Sequence, residues 1–250
     1  MGAERERADG FAGRLAELYG EDLVAVVLYG SAARGDYREG TSDLNLLVLL
    51  RRLDAATLRR GAAATREWVE GGDPPPLILS EQEWRSSADV FPIEYSDMRD
   101  AHVLLRGSDP FGGLEIRSAD LRHQCEHELK GKQIQLRERY LMSAEHPEEI
   151  GELLLRSIST FLTMFRTLLR LAGDQVPIAG AEVVDATARR VGFDPAPLHQ
   201  VLRAKRDGGD FAPAASDPVA VGYLAAVQRS VEWLDAVDVG PAEGTAPFGG

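Results

Sequence analysis

The segment Leu28–Leu50, LYGSAARGDYREGTSDLNLLVLL, holds the residues whose types and spacing could do chemistry. Gly30-Ser31 closes an apolar, β-branched run, and a glycine there lets a ligand come close to the backbone. The following SAARGD predicts a short helix start whose free N–H groups face outward. Backbone donors, a hydroxyl and a helix start together make a cradle for phosphate. Asp43 and Asn45 stand two apart at the head of the next apolar run, so both side chains leave the same face of a strand. Two oxygen ligands on one strand beside a phosphate cradle is a geometry for Mg²⁺ bridging a nucleoside triphosphate. Asn45 also has a structural reading, because a polar residue inside LNLLVLL must find hydrogen-bond partners.

The elements that must position these groups follow from periodicity. Glu4 to Tyr19 reads as a helix with Phe11, Leu15 and Leu18 on one side, ended by Gly20. Leu23–Tyr29 (LVAVVLY) and Leu44–Leu50 (LNLLVLL) are continuous apolar runs, the mark of buried strands. Asp54 to Glu70 reads as a helix, Leu77–Leu79 as a third strand behind Asp73 and three prolines, Glu81–Ser87 as a helical turn, and FPIEY (Phe91–Tyr95) as a fourth strand. Beyond Ser118 the spacing predicts helices near 119–143, 147–172, 180–191, 196–206 and 217–237. Leu121, Cys125, Leu129, Leu136 and Tyr140 form one stripe on the first of these, with Ile134 off it. The second carries apolar residues round more than half its circumference and is expected to be central. Its apolar face would be covered either within the chain or by a second copy, as a homodimer. The fold class expected is α+β: a small mixed β-sheet domain over 1–116, an α-helical bundle over 117–239, and a disordered tail at 240–250.

Composition narrows the function. The chain has 250 residues, 28 Lys+Arg against 40 Asp+Glu, and a net charge of −12. Such a chain is not expected to carry the large basic face that duplex DNA or long RNA requires. A small nucleotide held by a few groups and a metal, or a cationic small substrate, stays compatible with it. No run approaches the length of a membrane helix, the charged MGAERERADG is not expected to be a secretory signal, and a single cysteine fits a reducing cytoplasm. Cys125 falls on the apolar stripe and is expected in the core. His123 and His127 lie four apart but lack a third zinc ligand. There is no GK[ST] loop, GxSxG elbow or strand-borne GxGxxG.

The Gly-Ser at the end of one strand, the spacer of about a dozen residues and the Ser42-Asp43-Leu44 run on the next resemble the nucleotidyltransferase superfamily of DNA polymerase beta type. The longer layout is similar to that of kanamycin and aminoglycoside nucleotidyltransferases and related bacterial proteins. The resemblance implies attack of an acceptor hydroxyl on the α-phosphate of an NTP with release of pyrophosphate. Gly30 and Ser31 would hold the triphosphate, and Asp43 with Asn45 would position Mg²⁺. The acceptor would be a small, aminoglycoside-like molecule or a protein. Asn45 stands where the family has a second carboxylate, and its amide brings no charge.

The family's third acid comes from a later strand, yet Pro76–Leu79 contains none. Glu94, in the FPIEY strand, is the first choice as metal ligand or base; Asp97 is the second, with a helix N-cap as its other reading. Glu94 is equally readable as a solvent-facing edge residue. Arg34 could reach a triphosphate or be a surface arginine. Lys132 lies in line with Leu121, Cys125, Leu129 and Leu136; it would point at a β- or γ-phosphate or pack its stem and snorkel. Lys130 is on the opposite side and is expected in solvent. A second function class stays open beside the enzyme: a catalytically impaired nucleotidyltransferase fold acting as a nucleotide-binding or regulatory, protein-contacting module.

Overall fold

The structure, a computed structural model, describes residues 2–35, 37 and 42–237. The chain divides into two compact units, Met1–Ile116 and Arg117–Gly250. The stretch 240–250, expected to be a tail, lies outside the described residues.

The first unit runs α1 (Ala3–Tyr19), a 3₁₀ turn, β1 (Leu23–Tyr29), α2 (Ser31–Arg34), β2 (Asn45–Leu50), α3 (Ala55–Glu70), β3 (Leu77–Ser80), α4 (Glu81–Ser86), α5 (Pro92–Asp100) and β4 (His102–Gly107). The strands form one mixed sheet in the order β3-β2-β1-β4. β1 pairs antiparallel with β2 and with β4, and β2 pairs parallel with β3. Val26, Leu28, Leu44, Leu46, Val48 and Leu50 face α1 and α3, with Phe11 stacked on Trp68. Ala25, Val27, Leu47 and Leu49 face the opposite side, where Trp84, Tyr95, Met98 and Phe111 close the core. Both faces of β1 and β2 are therefore covered, which is why those strands read as unbroken apolar runs. Leu18, expected on the packed side of the first helix, is instead exposed, while Ala8, Phe11, Ala12 and Leu15 are buried.

FPIEY is not a strand. Pro92 opens α5, where its missing N–H costs nothing and its fixed φ suits a first helical turn. The fourth strand is His102–Gly107, immediately after that helix. Tyr95 is held by stacking on Trp84 at 4.0 Å between ring centroids and by a 3.0 Å hydrogen bond from its hydroxyl to the Trp84 carbonyl. A helical side chain, one turn from Met98, does this packing; the alternation of a strand does not.

The second unit contains α6 (Ser118–Met142), α7 (Pro147–Leu171), α8 (Gly180–Val191), α9 (Ala196–Asp207) and α10 (Pro218–Ala236). α7 packs against α6, α8, α9 and α10, so its broad apolar circumference is covered inside the unit. On α6, Leu121, Cys125, Leu129 and Leu136 are buried and Ile134 is exposed, as the stripe requires. Cys125 is fully buried, and that burial pushes its thiol up to about 12. Lys130 is not simply solvated: its ammonium meets Glu126 at 2.7 Å and Asp235 at 2.8 Å. Among the described residues no helix is long and apolar enough to cross a membrane.

Candidate nucleotide-binding site

The chemistry-bearing residues of the first unit meet at one end of β1 and β2. Tyr29, the last residue of β1, is paired with Asn45, the first of β2, and with His102 of β4. The pairing ends there, with Gly30 and Ser31 following β1 and Asp43 and Leu44 preceding β2. Gly30 turns the chain from strand into the single turn of α2 with φ +80°, a region open to glycine and strained for other residues. A Cβ on Gly30 would also stand 3.2 Å from Nδ2 of Asn45, so the asparagine amide lies directly against the bare Cα. Ala32 and Tyr37 anchor the turn on the α1-side core, while Ser31 stays half-buried and Asp43 exposed.

Asn45 belongs to the sheet face that carries Leu47 and Leu49, the face under α5. Asp43, two residues earlier, has the same parity, whereas Leu44 points into the α1-side core. The Asn45 amide is thus presented beside the glycine turn, with the exposed Asp43 two residues ahead of it in the chain.

The remaining candidates are placed differently. Arg34, half-buried as a residue with a well-shielded side chain, turns to α5: its guanidinium meets the Asp97 carboxylate at 2.7 Å and donates to the Asp97 carbonyl at 3.1 Å. Asp97 lies inside α5 and is not an N-cap. Glu94 lies in the first turn of α5, exposed, one turn before Asp97. Lys132 lies on α6 of the second unit, half-buried.

Two residues have parts that the sequence does not disclose. Asp97, readable from sequence as a cap or a reserve ligand, is the partner of Arg34 across 63 residues of chain. Asp73 is the only acid on the approach to β3. It accepts a 3.0 Å hydrogen bond from the backbone N–H of Leu44, and its second oxygen pairs with Arg7 of α1. It therefore fixes the backbone between Asp43 and Asn45 from the α1 side. The one available signal is its position directly before Pro74-Pro75-Pro76, which feeds the strand parallel to β2.

The donor set bears on metal binding. Asp43 contributes one negative charge and Asn45 a neutral amide oxygen. Among the described residues no group of three His, Cys, Asp or Glu side chains comes together. That set matches a single Mg²⁺ arriving on triphosphate oxygens, which needs only one or two protein carboxylates. It does not match a two-metal centre, which needs bridging carboxylates.

Residues 9–98 match the nucleotidyltransferase domain family. The stretch runs from within α1 to within α5 and holds the site candidates of the first unit. The matched stretch includes the asparagine at position 45. No curated protein matches the chain. The structure of spectinomycin adenyltransferase AAD(9) from Enterococcus faecialis, solved with ATP and spectinomycin, is similar over 91% of this chain and 98% of that chain, with 14% identity and a TM-score of 0.52. At this identity the likeness is one of fold, and its coverage takes in parts of both units. A toxin-antitoxin structure with AMP-PNP is similar over 40% of this chain and 74% of that chain, at 18% identity and a TM-score of 0.29, too slight a likeness for any statement on fold.

Proposed function

We propose that the chain transfers a nucleoside monophosphate from an NTP to a hydroxyl of a small acceptor. The acceptor oxygen attacks the α-phosphate and pyrophosphate leaves. The observation that supports this reading is the end of the β1–β2 pairing, Tyr29 against Asn45, where the Asn45 amide lies against Gly30. Gly30 and the Ser31 hydroxyl and N–H would hold the triphosphate, with Asp43 as charged ligand and Asn45 as neutral ligand of one Mg²⁺. When bound, Mg²⁺ would neutralise phosphate charge and orient the α-phosphate. Of the two candidate acids, both on α5, Glu94 lies exposed in the first turn and would take the proton from the acceptor. ATP is the donor to try first, since the adenyltransferase of similar fold was solved with it. Polyhydroxylated cations resembling aminoglycosides are the acceptor class that the net charge of −12 favours. A protein hydroxyl is the other acceptor to screen.

A second reading is favoured by two features of the same site: the uncharged amide at Asn45 and the engagement of Asp73 by Leu44 and Arg7. In it, the fold binds nucleotide without turning it over and serves as a regulatory or protein-contacting module.

Calorimetric titration of ATP, GTP, CTP and UTP with and without Mg²⁺, followed by a pyrophosphate-release assay, separates the two. Metal-dependent binding with pyrophosphate release supports transfer; binding without release, across a panel of acceptors, supports the module. No binding by the folded protein removes transfer and leaves a protein-contacting module that takes no nucleotide. The reading also makes a gain-of-function prediction. Asn45→Asp adds a second carboxylate on the same strand face and should strengthen Mg²⁺·NTP binding by about tenfold, the scale of one charge-assisted contact. Unchanged Mg²⁺ dependence in a folded Asn45→Asp protein would remove Asn45 from the metal site.

A further inference from the structure

The backbone that carries Asp43 and leads into Asn45 is not held by the sheet. The pairing of β2 with β1 stops at Asn45, against Tyr29, and its pairing with β3 starts only at Leu47, against Leu77. Leu44 stands outside both ladders, yet it is fully buried. A buried backbone N–H needs an acceptor. The chain ahead of Leu77 is Pro74-Pro75-Pro76, which has no N–H to extend a ladder, and the Pro74 carbonyl accepts from the Trp68 indole at 2.9 Å. Leu44 is served by a side chain instead: its N–H donates to Oδ1 of Asp73 at 3.0 Å.

Asp73 is placed for that one bond. Its side chain is 4% exposed, and a carboxylate so deep needs a counter-charge, which Arg7 brings to the other oxygen from α1. A hydrogen bond to a carboxylate is shorter and about twice as strong as one to a neutral oxygen. The N–H it holds belongs to the planar peptide unit that joins Asp43 to Leu44. Holding that plane sets ψ of Asp43 and φ of Leu44, and so how the Asp43 carboxylate is aimed relative to the Asn45 amide.

We infer that Asp73 is the positioning residue of the proposed Mg²⁺ ligand pair. Braced by Arg7, it locks the Asp43–Leu44 peptide so that the oxygens of Asp43 and Asn45 meet one cation. The inference rests on reading those two residues as the ligands. Asp73 itself acts only through the backbone. An ion pair that merely closed the seam between α1 and the sheet would cost stability and leave metal dependence alone.

The test sets Asp73→Ala and Asp73→Asn beside Asp54→Ala, all in the full chain. Asp54 caps α3 by accepting the Thr57 N–H at 2.7 Å, so its loss lowers the melting temperature without touching Asp73 or Leu44. Each protein is titrated with ATP by calorimetry, with and without Mg²⁺, and amide exchange at Leu44 is followed by NMR. In Asp73→Ala the Leu44 amide should exchange, and Mg²⁺·ATP should dissociate, at least about tenfold more readily, the scale of one charge-assisted hydrogen bond. The affinity loss should be confined to the titrations with Mg²⁺. Asp73→Asn keeps an oxygen for Leu44 but loses the pair with Arg7, and should fall between, at about threefold. Asp54→Ala should match the wild type in both readouts. If Asp73→Ala does not fold, the threefold, metal-confined loss in Asp73→Asn decides alone. The inference is overturned if a folded Asp73 variant binds Mg²⁺·ATP as the wild type does, if its loss is equal without Mg²⁺, or if Asp54→Ala weakens binding as much. Absence of Mg²⁺·ATP binding in the wild type is a separate result, which removes the nucleotide reading itself and the positioning role with it.

Discussion

Asp43→Ala is expected to abolish Mg²⁺-dependent nucleotide binding and, with it, all NMP transfer. Asp43 is the charged member of the proposed ligand pair, and Asn45 beside it contributes only a dipole. A triphosphate brings several negative charges to a chain that is already at −12. Without a carboxylate to seat the cation, that approach is repulsive. A metal ion stabilises the phosphoryl centre by several kcal/mol, so affinity in the presence of Mg²⁺ should fall by about a hundredfold or more. The melting temperature should barely move, because Asp43 is exposed and an exposed substitution is worth within about 0.5 kcal/mol. Calorimetry and a thermal melt on the same sample read both quantities. Retained Mg²⁺ dependence in Asp43→Ala would sink the assignment of this site.

Asp97→Ala is expected to give the largest stability loss in the first unit. The pair it breaks is shielded: the Arg34 side chain is 8% exposed and that of Asp97 18%. Removing one partner leaves a guanidinium with its hydration lost and its counter-charge gone, which costs about 3–5 kcal/mol. A domain holds only roughly 5–15 kcal/mol in total. The double substitution Arg34→Met, Asp97→Leu removes both charges and should recover most of the loss. Denaturant melts of the two single and one double variant close the cycle. The same variant decides what Arg34 does. If it positions the α2 turn through Asp97, Asp97→Ala lowers nucleotide affinity. If Arg34 were a triphosphate ligand, releasing it from Asp97 would raise that affinity.

The centre of the fold is legible because β1 and β2 are covered on both faces. Burial from two sides writes itself into a sequence as LVAVVLY and LNLLVLL, and the Gly-Ser and Asp between them mark the turn. β4 is not legible. His102–Gly107 lies at the edge of the sheet and is only partly buried, so HVLLRG carries neither a full apolar run nor clean alternation. Its neighbour FPIEY imitates a strand through its apolar and aromatic residues, whereas Pro92 at the first helical position is the opposite signal. Asp73 and Asp97 are illegible as site-shaping residues for a different reason. Their partners, Leu44, Arg7 and Arg34, lie 29, 66 and 63 residues away, and no local pattern encodes such pairings. Gly30 and Asn45 lie close in sequence at the adjoining ends of two paired strands, so their contact follows from the β1–β2 pairing alone.

The burial of Cys125 turns the chain's single thiol into a clock for one half of the molecule. A disulfide reagent attacks thiolate, and here the sulfur is both sealed and held protonated by its surroundings. Once the helices part, the thiol regains its ordinary acidity near 8.5 and reacts at once. The labelling rate of the native protein is then the free-thiol rate multiplied by the fraction of time the bundle spends open. Because no other cysteine exists, the β-sheet half is silent in this experiment. Variants that loosen the first unit, Asp97→Ala among them, should leave the rate where it is, unless the two halves unfold as one cooperative body.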